Sequence, residues 1–245
     1  MHPLQLDVHT HTLASGHAYG TITEMARAAA DKGLSLLGIT EHASGIPGTC
    51  ADLYFANLPV VPRQMFGIDL LLGAEINILD HAGTLSMAPK LIDTLDLRIA
   101  GIHEQCYTFG TIEENTHAVL QAIRNPAIDI ISHPDDGNCP LDYDILVLEA
   151  KRHHTLLEIN NNALRHPETR KNVVKNALSI LEKSKLHGAP VLLSSDAHYM
   201  TDIANIDHIT PLLARTDFPD ELVINYSAER FSAWLKENRA RGKRV

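Results

Sequence analysis

Histidine is the residue type with which chemistry could begin in this chain. Of 245 residues 15 are His, against five Phe, six Tyr and one Trp. Imidazole is the commonest metal ligand and titrates nearest neutral pH. His9 and His11 form an HxH step in DVHTH, and His17 follows in the same connection. His42 closes GITEH, His103 closes IAGIH and His133 closes DIISH. Glu75 ends the apolar run LLLGAE, and Asp196 and His198 form a DxH step in SSDAH. A single His at a strand end is normally a hydrogen-bonded structural residue, and HxH alone is a weak motif. The joint pattern is different, because burying seven imidazoles and two carboxylates together without a cation costs heavily in desolvation. Nine donors exceed one tetrahedral or octahedral site with positions open for water and substrate, so two or three ions are implied. The donor types suit Zn, Mn, Fe or Ni and do not discriminate among them.

These side chains act together only if the fold brings strand ends to one face. Apolar runs predict strands at Leu6–His11, Leu36–Thr40, Leu70–Ile76, Leu97–Ile102, Ile128–Ser132, Leu156–Asn160 and Val191–Ser195. Several are almost wholly apolar, as parallel strands covered by helices are. Thr21-Ile-Thr-Glu24 and Thr111-Ile-Glu-Glu114 are capping boxes; the first helix stops at Gly33 and the second before Asn125-Pro126. Val173, Val174, Ala177, Ile180 and Leu181 fall at helical spacing between Arg170 and Lys185, and Ser227 caps a last helix through Trp234 and Leu235. Seven such β-α units predict an α/β fold, a (β/α) barrel, with a doubly wound open sheet as the alternative. Leu222–Asn225 reads as an eighth short strand or a turn. The Ala43–Gly67 connection is long and is expected to fold over the site or to be partly mobile. In the first strand, period two sets Asp7, His9 and His11 opposite Leu4, Leu6 and Val8. Asp7 then reads as a partner behind the ligands, a strand cap or half of a salt bridge.

Composition narrows the partners. Apolar residues are 44% and charged residues 21%, ordinary for a globular chain. No run approaches the roughly 18 consecutive apolar residues of a membrane span. The start, MHPLQLDVHT, lacks a basic-then-apolar leader, so a cytoplasmic location is expected. A net charge of −9 argues against long nucleic acid, although three bound dications would offset six of those charges. Cys50, Cys106 and Cys139 lie far apart, form no CxxC pair and read as packing residues in a reducing compartment.

With those residues in place, the chain resembles the PHP (polymerase and histidinol phosphatase) superfamily, whose pattern runs HxH, H, H, E, H, H, DxH. Here it reads His9-Thr-His11, His17, Thr40-Glu-His42, Glu75, His103, His133 and Asp196-Ala-His198, with the flanking phrases GAEINI, LEINN and SSDAH. The match runs from about residue 6 to Ser227, nearest the small single-domain branch of YcdX-type zinc phosphatases. The resemblance implies a distorted (β/α)7 barrel, 1–245 as one phosphatase domain, and a trinuclear zinc centre. It also implies hydrolysis of a small phosphomonoester by metal-activated hydroxide, and a homo-oligomer such as a trimer. Carried over residue by residue, His9, His11, Glu75 and Asp196 hold the first ion. Glu75, His103 and His133 hold the second, with Glu75 bridging, and His17, His42 and His198 hold the third. Two departures stand out. Many members read Thr-Asp-His where this chain has Thr40-Glu41-His42, and Asp135 and Asp136 follow His133-Pro134 where Gly is common.

Residues beside the ligands are candidates for lesser roles. Arg165 is the candidate for a bidentate clamp on phosphate, against a solvent-facing position at a helix. His166 reads as a surface residue, Asn160 and Asn161 as groups that orient ligands, and Glu104 as pointing away from His103. The pocket wall is expected in 43–68 and in Asp135–Tyr143. Three rival readings remain: a metal-dependent amidohydrolase, which bridges its metals with a carbamylated lysine; a nuclease-like phosphodiesterase within the same superfamily; and a non-catalytic, metal-stabilised scaffold or interaction module. The nine lysines here all fall in predicted helices or loops.

Overall fold

The computed structural model describes residues 2–242. The strands are β1 (Leu6–Asp7), β2 (Leu36–His42), β3 (Gln64–Met65), β4 (Ile68–Asn77), β5 (Leu97–Gly101), β6 (Ile130–Ile131), β7 (Leu156–Asn160) and β8 (Val191–Ser194). All but β3 are parallel and pair in the order β1-β2-β4-β5-β6-β7-β8; β3 is a short antiparallel strand on the start of β4. The helices are α1 (Ile22–Asp31), α2 (Asp52–Ala56), α3 (Pro89–Ile92), α4 (Ile112–Arg124), α5 (Tyr143–His153), α6 (Asn161–Arg165), α7 (Val173–His187), α8 (Thr210–Thr216) and α9 (Ala228–Gly242). This is a nearly closed seven-stranded α/β barrel, not a doubly wound open sheet. Both capping boxes form, on Thr21 with Glu24 and on Thr111 with Glu114. The Ser227 hydroxyl accepts from the Arg230 N–H at 3.1 Å at the start of α9.

Period two along the strands sets the barrel interior. Leu6, Leu36, Leu97, Ile99, Ile130, Leu156 and Leu192 meet inside as one apolar floor, closed by Phe231 and Leu235 of α9. The larger apolar cluster lies between the strands and the outer helices. Two residues beyond the floor the inward positions become small or polar, at Gly38, Gly73, Gly101, Glu158 and Ser194. At the strand ends beyond them lie His42, Glu75, His103 and Asp196. One sequence of alternation thus stacks a dry floor beneath a polar layer.

Strand β1 is shorter than its apolar run. A Cβ on Gly38 would stand 2.7 Å from the Val8 Cα, so the chain crosses close over this glycine and leaves regular pairing. It rejoins at Thr10, whose carbonyl accepts from the Thr40 N–H at 2.9 Å. Val8 joins the floor, and the next residue, His9, also reaches the interior. Asp7 does not accompany His9 and His11: its carboxylate accepts from the Ser195 N–H at 3.3 Å and the Ala204 N–H at 2.8 Å.

The seam between β1 and β8 is closed without an eighth strand. Leu222–Asn225 forms parts of two 3-10 turns and a single bridge, Val191 to Val223. A second bridge, Thr10 to Ala197, and the Asn225 side chain complete the seam. The Asn225 amide donates to Leu6 O at 3.2 Å and Leu193 O at 2.7 Å, and its oxygen accepts from the Leu193 N–H at 2.8 Å. The 43–67 connection is not a lid. It carries α2, a 3-10 turn at Leu58–Val60 and β3, and buries Phe55 and Leu58 in the outer core.

Candidate metal centre

Glu75 stands at the middle of the strand-end cluster, 1% exposed, with its two oxygens facing two groups. Oε1 lies 3.2 Å from His103 Nε2 and 2.9 Å from His133 Nε2. Oε2 lies 3.3 Å from His9 Nε2, 3.7 Å from His11 Nε2 and 2.8 Å from His42 Nδ1. Asp196 Oδ1 completes the inner group, 3.2 Å from His11 Nε2 and 3.7 Å from His9 Nε2. His198 Nε2 and His17 Nε2 meet 3.1 Å apart at the outer rim, their rings beside that of His42. All nine strand-end and loop residues singled out by the motif are therefore together. Donor atoms of His9, His11 and Asp196, of His42, Glu75 and His103, and of His11, His42 and His198 each lie within 4.8 Å of one another.

The donor set fits cations. His9 Nε2, His11 Nε2, His42 Nδ1, Glu75 Oε2 and Asp196 Oδ1 are all buried without a hydrogen-bond partner. Five such atoms converging on one space would be expensive unless a cation satisfied them. The electrostatics agree. Burial alone would raise the Glu75 carboxyl, but His103, His9 and His42 outweigh it and hold it well below the usual range. Burial would likewise raise Asp196, yet His9, His11 and His198 hold it low. Burial would lower His9, and Glu158, Glu75 and Asp196 overcome that and raise it. His11 goes the other way, pushed well below the ordinary imidazole range by burial and by His42 and His198 beside it.

Groups behind the ligands aim them. Glu158, fully buried on β7, lies 2.6 Å from His9 Nδ1 and accepts from the His133 N–H at 2.7 Å and the Ser194 hydroxyl at 2.5 Å. Asn77 Oδ1 lies 2.8 Å from His103 Nδ1. Asn160 donates to Asp196 Oδ2 at 3.2 Å and Asn162 to the same oxygen at 3.4 Å, leaving Oδ1 to the centre. Two aimed residues sit in the left-handed region, His133 at φ 31° and Asp196 at φ 52°. Such backbone costs of order 1 kcal/mol each and persists where surroundings over-determine it. Sequence reading missed Glu158 and Asn77. The signal for Glu158 is a lone carboxylate inside the apolar strand LLEIN, two residues short of its end.

A cleft of about 550 Å³ opens above the cluster. His17, His42, His103, His133, Asp196 and His198 reach it, whereas His9, His11 and Glu75 lie beneath. Its wall differs from expectation. Only Ile46 comes from the 43–68 segment; Asp136, Asn138 and Cys139 come from the other expected stretch. The remainder is Ile102, Glu104, Gln105 and Phe109 after β5, Asn161, Asn162, Arg165, Thr169 and Arg170 after β7, and Ser195 and Asp202 after β8. Glu104 thus faces the cleft, not away from it. Arg165 is in the wall, paired in bidentate fashion with Asp202 at 3.0 and 2.9 Å. His166 is exposed beside Glu168. Among the described residues no lysine lines the cleft to serve as the carbamylated bridge of an amidohydrolase.

Fold and site together define a parallel α/β barrel that gathers imidazoles and carboxylates at its strand ends. A family model described as PHP domain matches residues 7–166, and the chain belongs to that family. A model described as RNase P subunit p30 matches residues 105–243. A probable phosphatase of Clostridium novyi is 42% identical over 231 residues, 94% of each chain. A probable phosphatase of Caldicellulosiruptor saccharolyticus is 40% identical, covering 95% of this chain and 96% of the relative. The barrel superposes on histidinol phosphate phosphatase from Lactococcus lactis, solved with Zn, L-histidinol and phosphate (TM-score 0.59, 17% identity, 88% and 94% coverage). It also superposes on a chain of archaeal ribonuclease P with mature tRNA (TM-score 0.60, 14% identity, 96% and 91% coverage). At those identities the likeness is one of fold.

Proposed function

We propose that this chain is a metal-dependent phosphatase that hydrolyses a small phosphomonoester, with 1–245 acting as one PHP domain. The observation that carries the reading is the convergence of five partnerless buried donor atoms, His9 Nε2, His11 Nε2, His42 Nδ1, Glu75 Oε2 and Asp196 Oδ1, on one space at the strand ends. The relatives named probable phosphatases support the class of reaction. In this reading His9, His11, Glu75 and Asp196 hold one zinc ion, Glu75, His103 and His133 a second, and His17, His42 and His198 a third. His42 Nδ1, close to Glu75 Oε2, also borders the second position. Zinc is the ion named in the Lactococcus lactis complex, and Mn, Fe or Ni would suit the same donors. Ions so held lower the pKa of bound water toward about 7 and offset phosphoryl charge.

The chain's own residues do the positioning. Glu158, Asn77 and the Asn160–Asn162 pair keep the ligand atoms turned inward, as groups behind metal ligands do. Arg165 uses one edge of its fork on Asp202 and keeps further N–H donors for phosphate oxygens over the cleft. The cleft has the volume of a small-molecule site. The test is elemental analysis of purified protein together with kcat/KM for para-nitrophenyl phosphate against its bis-ester. Two to three transition-metal ions per chain and faster monoester cleavage are expected. A protein without metal after growth in metal-replete medium, or one preferring the bis-ester, refutes the reading.

A further inference from the structure

Ser15 ends the 3-10 turn Leu13–Ser15 between His11 and His17 and is fully buried. Three groups converge on its hydroxyl. His11 Nδ1 lies 3.0 Å away, the His42 backbone N–H donates to it at 3.0 Å, and Glu41 Oε2 lies at 2.6 Å. Glu41 is fully buried on β2, next to His42. Its oxygens also accept from the Thr12 N–H at 3.0 Å, the Thr12 hydroxyl and the Tyr54 hydroxyl at 3.3 Å.

Proton bookkeeping then leaves one arrangement. A carboxylate offers about four lone-pair positions, and Glu41 meets four donors when Ser15 is counted. Glu41 as a carboxylate accepts from all four, so the Ser15 hydrogen goes to Glu41. One Ser15 lone pair takes the His42 N–H, and the other can only accept. His11 Nδ1 must therefore carry the hydrogen. Its Nε2 is left with a lone pair facing Asp196 Oδ1 at 3.2 Å and Glu75 Oε2 at 3.7 Å.

We propose that Glu41, acting through Ser15, fixes the tautomer of His11 and so presets Nε2 to hold a metal ion; this rests on the metal-centre reading above. Glu41 touches neither the cleft nor the centre, so it is a positioning residue. It does indirectly for His11 what Glu158 does directly for His9. The same hydroxyl anchors the His42 backbone, which ties the first connection to the end of β2.

The test is nitrogen-15 NMR of the imidazoles in the metal-free protein, with zinc titrated against a chelating competitor. The proteins compared are wild type, Ser15→Ala, Glu41→Gln and Tyr54→Phe. Wild type is expected to show His11 as the Nδ1–H form. Ser15→Ala and Glu41→Gln are expected to show mixed tautomers and to lose about 10–100-fold in affinity at the tightest zinc site. Tyr54→Phe leaves the relay in place and is expected to match wild type in both readouts. Should Glu41→Gln fail to fold, Ser15→Ala, which removes only a hydroxyl, decides alone. A Ser15→Ala protein that keeps His11 wholly as Nδ1–H and binds zinc like wild type overturns the proposal. Wild type that binds zinc but shows His11 as Nε2–H overturns the relay and leaves the metal reading intact. Wild type with the Nδ1–H form and no zinc binding does the reverse.

Discussion

The inner and outer parts of the strand-end cluster are built differently. His9 and His11 are 0% exposed, Glu75 1% and Asp196 6%, and His9, His11 and Asp196 are each held from behind by protein groups. His17 is exposed and His198 half-buried, and at the rim their ring nitrogens meet each other. Within this cluster, among the described residues, the partnerless buried atoms lie in the inner part and at His42. The inner part is pre-shaped for cations and penalised without them. The rim carries no such penalty, so its ion should be held more weakly and lost first on chelation.

The largest effect expected from breaking this arrangement is that of Glu75→Gln. It removes the one carboxylate shared by both inner groups, and activity should fall by about 10³-fold or more. Metal content, measured alongside, should drop while far-ultraviolet dichroism stays that of a folded barrel. An active Gln variant with full metal would show that the two oxygens do not join two ions. Next comes Glu158→Gln. The His9 tautomer loses its carboxylate partner, and zinc affinity at the inner site should fall by about 10–100-fold. A chelator competition titration reads this directly, and an unchanged titration would make Glu158 a packing residue.

Arg165→Ala is expected to be milder, lowering monoester kcat/KM by about tenfold and bis-ester turnover less, since the guanidinium fork matches a terminal phosphate. Equal effects on the two esters would return Arg165 to a wall residue. The same variant has a pH signature. The Arg165 hydrogen bond holds the Asp202 carboxyl below its ordinary value. A depressed carboxyl stabilises the fold above its unfolded pKa and loses that contribution as pH falls. The stability gap between wild type and variant should therefore be under about 1 kcal/mol at pH 7 and close below about pH 4. Denaturant midpoints at the two pH values test it. Smallest of all, His17→Ala should release one ion at the rim, leave the inner ions bound and cost only about tenfold in activity. Loss of every ion from this variant would erase the distinction between inner and outer parts.

What sequence disclosed, and what it hid, follows from the range of the forces involved. The seven parallel strands were legible because each is an apolar run between capped helices, and local alternation and capping leave direct marks. Eight of the nine clustered donors were legible because they lie at the ends of such runs, and His17 because it follows the first of them in the same motif. Asn225 was not, because a side chain that substitutes for a strand leaves no period. Glu158, Asn77 and Glu41 act through partners up to 149 residues away, as His9 and Glu158 are, and no local spacing encodes that. The cleft wall was misplaced for a related reason. A long connection looked like a cover, yet Phe55 and Leu58 are apolar enough to pull it into the outer core.

The Asn225 clasp has a consequence for how the protein is made. It joins Leu6 to Leu193, so the barrel cannot be sealed until nearly the whole chain has left the ribosome. The same is true of the inner donors: His9 and His11 come from the first strand and Asp196 from beyond the last. At about 5–20 residues per second, synthesis leaves the early histidines waiting roughly ten seconds or more for their carboxylate partner. A nascent chain therefore carries part of the donor set without the aspartate that completes it, and in the proposed reading the group of His9, His11 and Asp196 is complete only once β8 has arrived.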